Sequence, residues 1–158
     1  MILQAPVEIE LTTSEATERL GAKIARLLRL GDAVLLRGEL GAGKSTLARG
    51  LVRALTTPDE EVPSPTFTLV QAYDGPGFTI AHLDLYRLSG PEEVYELGFD
   101  EALEEGVALV EWPQRLGARL PPDRLDIELR LRGAGGPEEG RLAVLEPHGS
   151  FRGRVLDE

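Results

Sequence analysis

The spacing of hydrophobic and polar positions changes several times along the chain, and each change marks an element. Val7, Ile9 and Leu11 alternate with Glu8, Glu10 and Thr12, the two-residue period of a strand with one buried face. The period then lengthens. Ala16, Leu20, Ile24, Leu27 and Leu28 form a helical stripe that closes at Gly31, and Thr12-x-x-Glu15 before it has the form of a capping box. Ala33-Val34-Leu35-Leu36 is a continuous apolar run between Gly31-Asp32 and Gly38, which reads as a strand buried on both faces. Leu47, Leu51, Val52 and Leu55 return to three- and four-residue spacing, so a helix begins near Lys44.

The second half repeats this alternation of strands and helices. Residues 66–73 and 78–83 read as two strands joined by the tight turn Asp74-Gly75-Pro76-Gly77. Ser89-x-x-Glu92 with Pro91 starts a helix that the acidic stretch carries through Glu105 to Gly106. Val107-Ala108-Leu109-Val110 is a second interior strand. Leu125, Ile127, Leu129 and Leu131 alternate with polar residues and pair back with 141–145 across the turn at 133–140, a hairpin expected at the edge of the sheet. From Pro147 onward the pattern fades, so 147–158 is expected to be a mobile tail on a single domain spanning 1–158.

The link between the first apolar run and the following helix carries chemistry. Residues Gly38-Glu39-Leu40-Gly41-Ala42-Gly43-Lys44-Ser45 match G-x-x-x-x-G-K-[ST], the loop that cradles nucleotide phosphates. The chain has only two lysines, Lys23 and Lys44, and one falls on the motif position. A helix that begins inside the loop turns unpaired N–H groups and the positive end of its dipole toward an anion. Gly41 and Gly43 let the backbone approach phosphate oxygens, Lys44 reaches the β- and γ-phosphates, Ser45 ligates Mg²⁺, and Thr46 offers its hydroxyl to the α-phosphate. The fold class that follows is α/β: a P-loop NTPase-like mixed, largely parallel sheet flanked by helices, with antiparallel hairpins at 66–83 and 125–145.

Such an enzyme needs an acid for Mg²⁺ at the end of a neighbouring strand, and two qualify. Asp84 follows 78–83 and Glu111 follows 107–110. Glu111 ends the more uniformly apolar run and fits the metal-side role, leaving Asp84 to polarise a water or hold a metal-bound one. Pro63-Ser64-Pro65-Thr66-Phe67 stands where switch segments sense a γ-phosphate, with Ser64 and Thr66 as hydroxyl donors. Trp112 is the sole tryptophan and either packs or stacks on a ligand. His82 alternates with its strand and reads as a structural histidine.

Composition narrows the rest. The formal charge is −10, which argues against a chain that grips nucleic acid alone, although Arg115, Arg119 and Arg124 lie close together. With no cysteine and two histidines, thiolate and histidine-built metal sites are excluded, leaving an oxygen-bound Mg²⁺. No apolar run is long enough to span a bilayer, and the start Met1-Ile2-Leu3-Gln4 has no basic flank, so a cytoplasmic protein without membrane partners is expected.

Four segments in order carry a family resemblance: 38–46, Ser64-Pro65-Thr66-Phe67-Thr68-Leu69-Val70, His82-Leu83-Asp84-Leu85-Tyr86-Arg87-Leu88 and Val110-Glu111-Trp112-Pro113. Together they resemble the TsaE family, small P-loop ATPases of bacterial tRNA threonylcarbamoyladenosine (t6A) synthesis, over about 12–145. The resemblance implies ATP hydrolysis that is weak in isolation and depends on the TsaB–TsaD heterodimer, which modifies adenosine 37 of tRNA; tRNA is met only through that complex. It implies nucleotide contacts from Gly38, Leu40, Gly41, Ala42, Gly43, Lys44, Ser45 and Thr46, with Ser14 near the base. Asp84, Lys44, Thr66 and Glu111 are the expected catalytic residues, and Ser45, Glu111 and Asp84 the expected metal residues. Ser45 stands where the family more often has Thr, which keeps the hydroxyl.

Two rivals use the same loop. A regulatory GTPase needs an Asn-Lys-x-Asp guanine reader, and the chain has no asparagine. A small-metabolite kinase needs an arginine-bearing lid, for which only the stretch from Arg115 to Arg124 is available.

Overall fold

The computed structural model describes residues 1–132 and 140–157. Seven strands form one mixed sheet in the order β1-β7-β6-β2-β5-β4-β3. In chain order the elements are β1 (Val7–Leu11), α1 (Ser14–Ala25), β2 (Ala33–Gly38), α2 (Lys44–Leu55), β3 (Val70–Asp74), β4 (Thr79–Asp84), α3 (Pro91–Glu96), α4 (Phe99–Glu105), β5 (Gly106–Glu111), β6 (Arg124–Leu131) and β7 (Arg141–His148). The four central strands, β6, β2, β5 and β4, run parallel, while β3, β7 and β1 pair antiparallel.

The continuous apolar runs are explained by two cores, one on each face of the sheet. Val34 and Leu36 of β2 face a core with Leu20 and Ile24 of α1 and Leu47 and Leu51 of α2. Ala33 and Leu35 face a second core with Leu83, Val94, Phe99 and Val110. Successive strand residues point to opposite faces, so a strand covered on both has no polar side left to show. Helices α1 and α2 cross closely: a Cβ on Gly50 would lie 2.0 Å from the Glu18 carbonyl oxygen. That contact sets the start of α1 beside the phosphate loop.

Several expectations need correcting. The hairpin over 125–145 does not edge the sheet: β6 pairs with β2, β7 pairs with β1, and β1 is the edge. Alternation reports that one face is buried and carries no information about lateral neighbours. The turn itself, 133–139, lies outside the described residues. In the first hairpin β3 begins at Val70, four residues later than the hydrophobic pattern suggested, because 66–69 form a turn that ends at Leu69 with φ +70°. The single helix expected from Ser89 is two short helices broken at Gly98, and its N-cap is Gly90, with no side-chain cap. At α1 the capping residue is Thr13, whose Oγ1 accepts the Ala16 N–H at 3.0 Å.

Residues from Pro147 pack against the body, where a mobile tail was expected. Phe151 and Leu156 are buried, and Arg154 reaches Asp32 with both nitrogens, at 2.6 and 3.2 Å. These anchors are irregularly spaced, so they leave no periodic signal in the sequence.

Candidate functional site

The phosphate loop closes the carboxyl end of β2 and opens α2. Gly43 caps α2 at φ +105° with no side-chain cap hydrogen bond, and the first turn of the helix carries no acidic residue. A β-carbon disfavours that backbone angle, so glycine is what lets the chain turn into the helix with its first N–H groups uncovered. Gly41 has φ +83° with nothing within 4 Å of where a Cβ would sit, leaving open space at the loop. Ala42 is buried and its N–H donates to the Glu39 carbonyl, which fixes the bend, while the Leu40 side chain stands 88 % exposed at the tip. Leu40 is also one of the residues that line the cleft beside the loop.

Beside the loop, β4 and β5 end together. Their parallel register pairs Asp84 with Glu111, so the two acids expected to serve the metal lie side by side. Both are buried, and each is held by partners. Asp84 Oδ1 accepts the Tyr86 N–H at 3.0 Å and Oδ2 accepts the Thr66 hydroxyl at 3.2 Å. Ser64 Oγ lies 2.8 Å from Thr66 Oγ1, so the expected switch hydroxyls form a short chain onto Asp84. Glu111 Oε2 lies 2.8 Å from His82 Nε2. The partner of His82 is thus one of the two acids, a contact visible only once β4 and β5 are known to be neighbours.

Lys44 is buried, and its Nζ has no hydrogen-bond partner among the described residues. It lies 3.8 Å from the centroid of the Trp112 ring, which packs at 4.8 Å against Tyr86. Burial pushes the lysine pKa below its ordinary value, and the nearby Glu111 and Asp84 charges oppose that shift. A buried ammonium facing two carboxylates and an open helix N-terminus is arranged to meet an anion. These groups line a cleft of about 330 Å³ that includes Ser45, Thr46, Ser64 and Thr66.

A second cleft of about 280 Å³ shares Gly41, Gly43 and Thr46 with the first and is lined also by Thr13, by Ser14 and Thr17 of α1, and by Gly140 and Arg141. Ser14, expected near the nucleotide base, lines this cleft together with Gly41 and Gly43. Arg141 was not foreseen, because β7 comes to the loop only through the sheet order. None of Arg49, Arg87, Arg115, Arg119 and Arg124 lines the first cleft. Arg49 lies 4.0 Å from Glu18, Arg87 stacks on Phe67, and Arg115 donates to the Tyr86 carbonyl.

The family described as "Threonylcarbamoyl adenosine biosynthesis protein TsaE" matches residues 11–136. The chain belongs to the TsaE family. A tRNA threonylcarbamoyladenosine biosynthesis protein TsaE from Rickettsia conorii is 42 % identical over 119 residues, covering 75 % of this chain and 68 % of that protein. One from Nostoc sp. is 39 % identical over 152 residues, covering 93 % and 90 %. The crystal structure of Bacillus subtilus YdiB superposes with a TM-score of 0.76 at 27 % identity, covering 96 % of this chain and 90 % of that one. Membership in the TsaE family assigns the protein to t6A biosynthesis. Among the described residues no helix is long and apolar enough to cross a membrane.

Proposed function

We propose that this TsaE-family protein is an Mg²⁺-dependent ATPase that supports the TsaB–TsaD heterodimer in transferring threonylcarbamoyl to adenosine 37 of tRNA. The observation that carries the reading is the buried Lys44 amine, which lacks a hydrogen-bond partner among the described residues and sits between a glycine-lined loop and two carboxylates. A buried cation without a partner is costly unless a ligand supplies one. The β- and γ-phosphates of a nucleoside triphosphate do so, with the uncapped start of α2 donating to the same oxygens.

The residues fit the metal as well as the nucleotide. The Ser45 hydroxyl, with Glu111 or Asp84, would hold Mg²⁺ through oxygen ligands, which is the donor set this cation prefers. Among the described residues no group of three or more His, Cys, Asp or Glu could hold a metal, in keeping with a cation that arrives on the phosphates. The bound cation would supply charge neutralisation on the phosphate oxygens. Lys44 orients the terminal phosphates and stabilises charge that develops on them. Asp84 is held by Thr66 and the Tyr86 N–H at the carboxyl end of β4, in a position to orient an attacking water. His82 holds the Glu111 carboxylate in place.

The charge of −10 suits a helper that leaves tRNA to its partners. A kinase would need cationic lid residues at the cleft, and none of Arg115, Arg119 and Arg124 lines it. The test is ATP turnover measured alone, with the TsaB–TsaD pair, and with the pair plus tRNA. Slow turnover that the pair accelerates supports the proposal; equal turnover in all three sinks the helper role, and phosphate appearing on a small alcohol points to the kinase.

A further inference from the structure

Two hydroxyls of the segment Pro63-Ser64-Pro65-Thr66 line the first cleft, and the direction of their hydrogen bonds follows from what each partner can give. Thr66 Oγ1 donates to Asp84 Oδ2 at 3.2 Å. A threonine hydroxyl carries one proton, so once that proton is on the carboxylate the oxygen can only accept from its other neighbour. That neighbour is Ser64 Oγ, 2.8 Å away, which therefore donates its own proton to Thr66. The chain runs from Ser64 through Thr66 to Asp84, and both hydroxyl protons are committed along it. What Ser64 has left to offer the cleft is a lone pair.

The backbone fixes this arrangement. Ser64 precedes a proline, which restricts it to extended conformations, and that proline is buried. The Pro65 carbonyl accepts the Leu69 N–H at 2.7 Å, and the Leu69 carbonyl accepts the Asp84 N–H at 2.9 Å. A side-chain contact from Thr66 and a main-chain contact from Leu69 thus tie the segment to the same residue, Asp84. The position of Ser64 in the sequence suggests a donor to a γ-phosphate, whereas the hydrogen bonds make it an acceptor. Phosphate oxygens only accept, so Ser64 could serve them only by releasing Thr66; a water molecule has protons to give and suits the chain as it stands.

We propose that Ser64 is a catalytic residue of the ATP hydrolysis proposed above, on which this inference rests: its oxygen accepts a hydrogen bond from the attacking water and aligns that water with the terminal phosphate. Asp84, at the far end, sets the direction of the chain. Ser64 forms no covalent bond and makes no contact with the nucleotide.

Two measurements on the whole protein with Mg²⁺ test this: ATP affinity by calorimetry, and cleavage of the terminal phosphate in a single turnover with the TsaB–TsaD pair present. The variants are Ser64→Ala, Ser64→Thr, Thr66→Val and the double variant Ser64→Ala with Thr66→Val, each verified as folded by a thermal melt. Losing the group that aligns the water predicts that Ser64→Ala slows cleavage about tenfold or more while ATP affinity stays within about twofold. Ser64 is exposed, so the extra methyl of Ser64→Thr has room, and this variant restores cleavage. Because the two hydroxyls act as one chain, adding Ser64→Ala to Thr66→Val costs less than about twofold more. ATP affinity that falls as far as cleavage overturns the inference, since Ser64 would then be a donor to phosphate. Cleavage untouched by Ser64→Ala, no rescue by Ser64→Thr, or effects that multiply in the double variant overturn it too, and leave the ATPase reading standing. If the unmodified protein binds no ATP, or binds it and never cleaves it, the ATPase reading itself falls and takes this inference with it.

Discussion

Replacing Lys44 with methionine should make the protein more stable and useless toward nucleotide. The lysine is 6 % exposed, and its amine has no hydrogen-bond partner among the described residues. A buried donor left unsatisfied costs about 1–3 kcal/mol. The Trp112 face returns about 0.5–2 kcal/mol as a cation–π contact, and attraction to Asp84 and Glu111 returns part of the remainder. Methionine fills a similar volume and its sulfur packs well on an indole ring. The two acids keep His82, Thr66 and the Tyr86 N–H when the cation goes. The net gain is about 1 kcal/mol, a rise in Tm of roughly 2–4 °C for a chain of this size.

The pH dependence gives the sign an independent check. The folded-state pKa of Lys44 is lowered, so below it the lysine is charged in both states and the destabilisation is fully present. Between that lowered pKa and 10.5 the unfolded chain binds more protons, so the unmodified protein gains stability as pH rises. The advantage of Lys44→Met therefore shrinks toward pH 10. Nucleotide-free melts at a series of pH values, with calorimetry against ATP and Mg²⁺ at pH 7, measure both effects. A variant that melts several degrees lower, an advantage that widens with pH, or an undiminished heat of ATP binding would each refute the reasoning.

Two further outcomes follow from neighbouring contacts. Glu111→Gln and Asp84→Asn should both depress ATP turnover, and in magnesium titrations the variant that has lost the direct ligand should need about tenfold or more Mg²⁺, the cost of one lost charged ligand. Equal Mg²⁺ requirements in both variants and the parent would remove the metal from these residues. Away from the site, Arg154→Ala should cost about 3–5 kcal/mol, because it leaves Asp32 buried without its cation. A denaturant midpoint unchanged by that substitution would show that the C-terminal segment contributes nothing to the fold.

Features that depend on a local period were legible in the sequence, and features that depend on neighbours in space were not. The loop, the helix after it and the two acid-bearing strands follow from runs and spacings within a dozen residues, and the structure places Lys44, Ser45, Asp84 and Glu111 around one cleft. The contact of His82 with Glu111 requires knowing that β4 lies beside β5, and the arrival of Arg141 requires β7 to lie between β6 and β1. Alternation in β6 reports only that Leu125, Ile127 and Leu129 face a core. The C-terminal segment is held by Phe151, Arg154 and Leu156, anchors that no period connects.

Two backbone costs that this fold retains lie next to the paired acids. Among the described residues, two other than glycine have positive φ: Leu69 at +70° and Trp112 at +59°. Such backbone angles cost of order 1–3 kcal/mol each and persist where the surroundings over-determine them. Each adjoins an acid. The Leu69 carbonyl accepts the Asp84 N–H at 2.9 Å, and Trp112 directly follows Glu111 and supplies the face on which Lys44 rests. One of the turns also carries Thr66, which holds Asp84. Relaxing Leu69 would move the backbone partner of Asp84, and relaxing Trp112 would withdraw the ring from Lys44. Two strained turns and one unpaired ammonium therefore bear on a single pair of carboxylates, so a ligand that engages Lys44 acts on the same contacts that hold the acids in place.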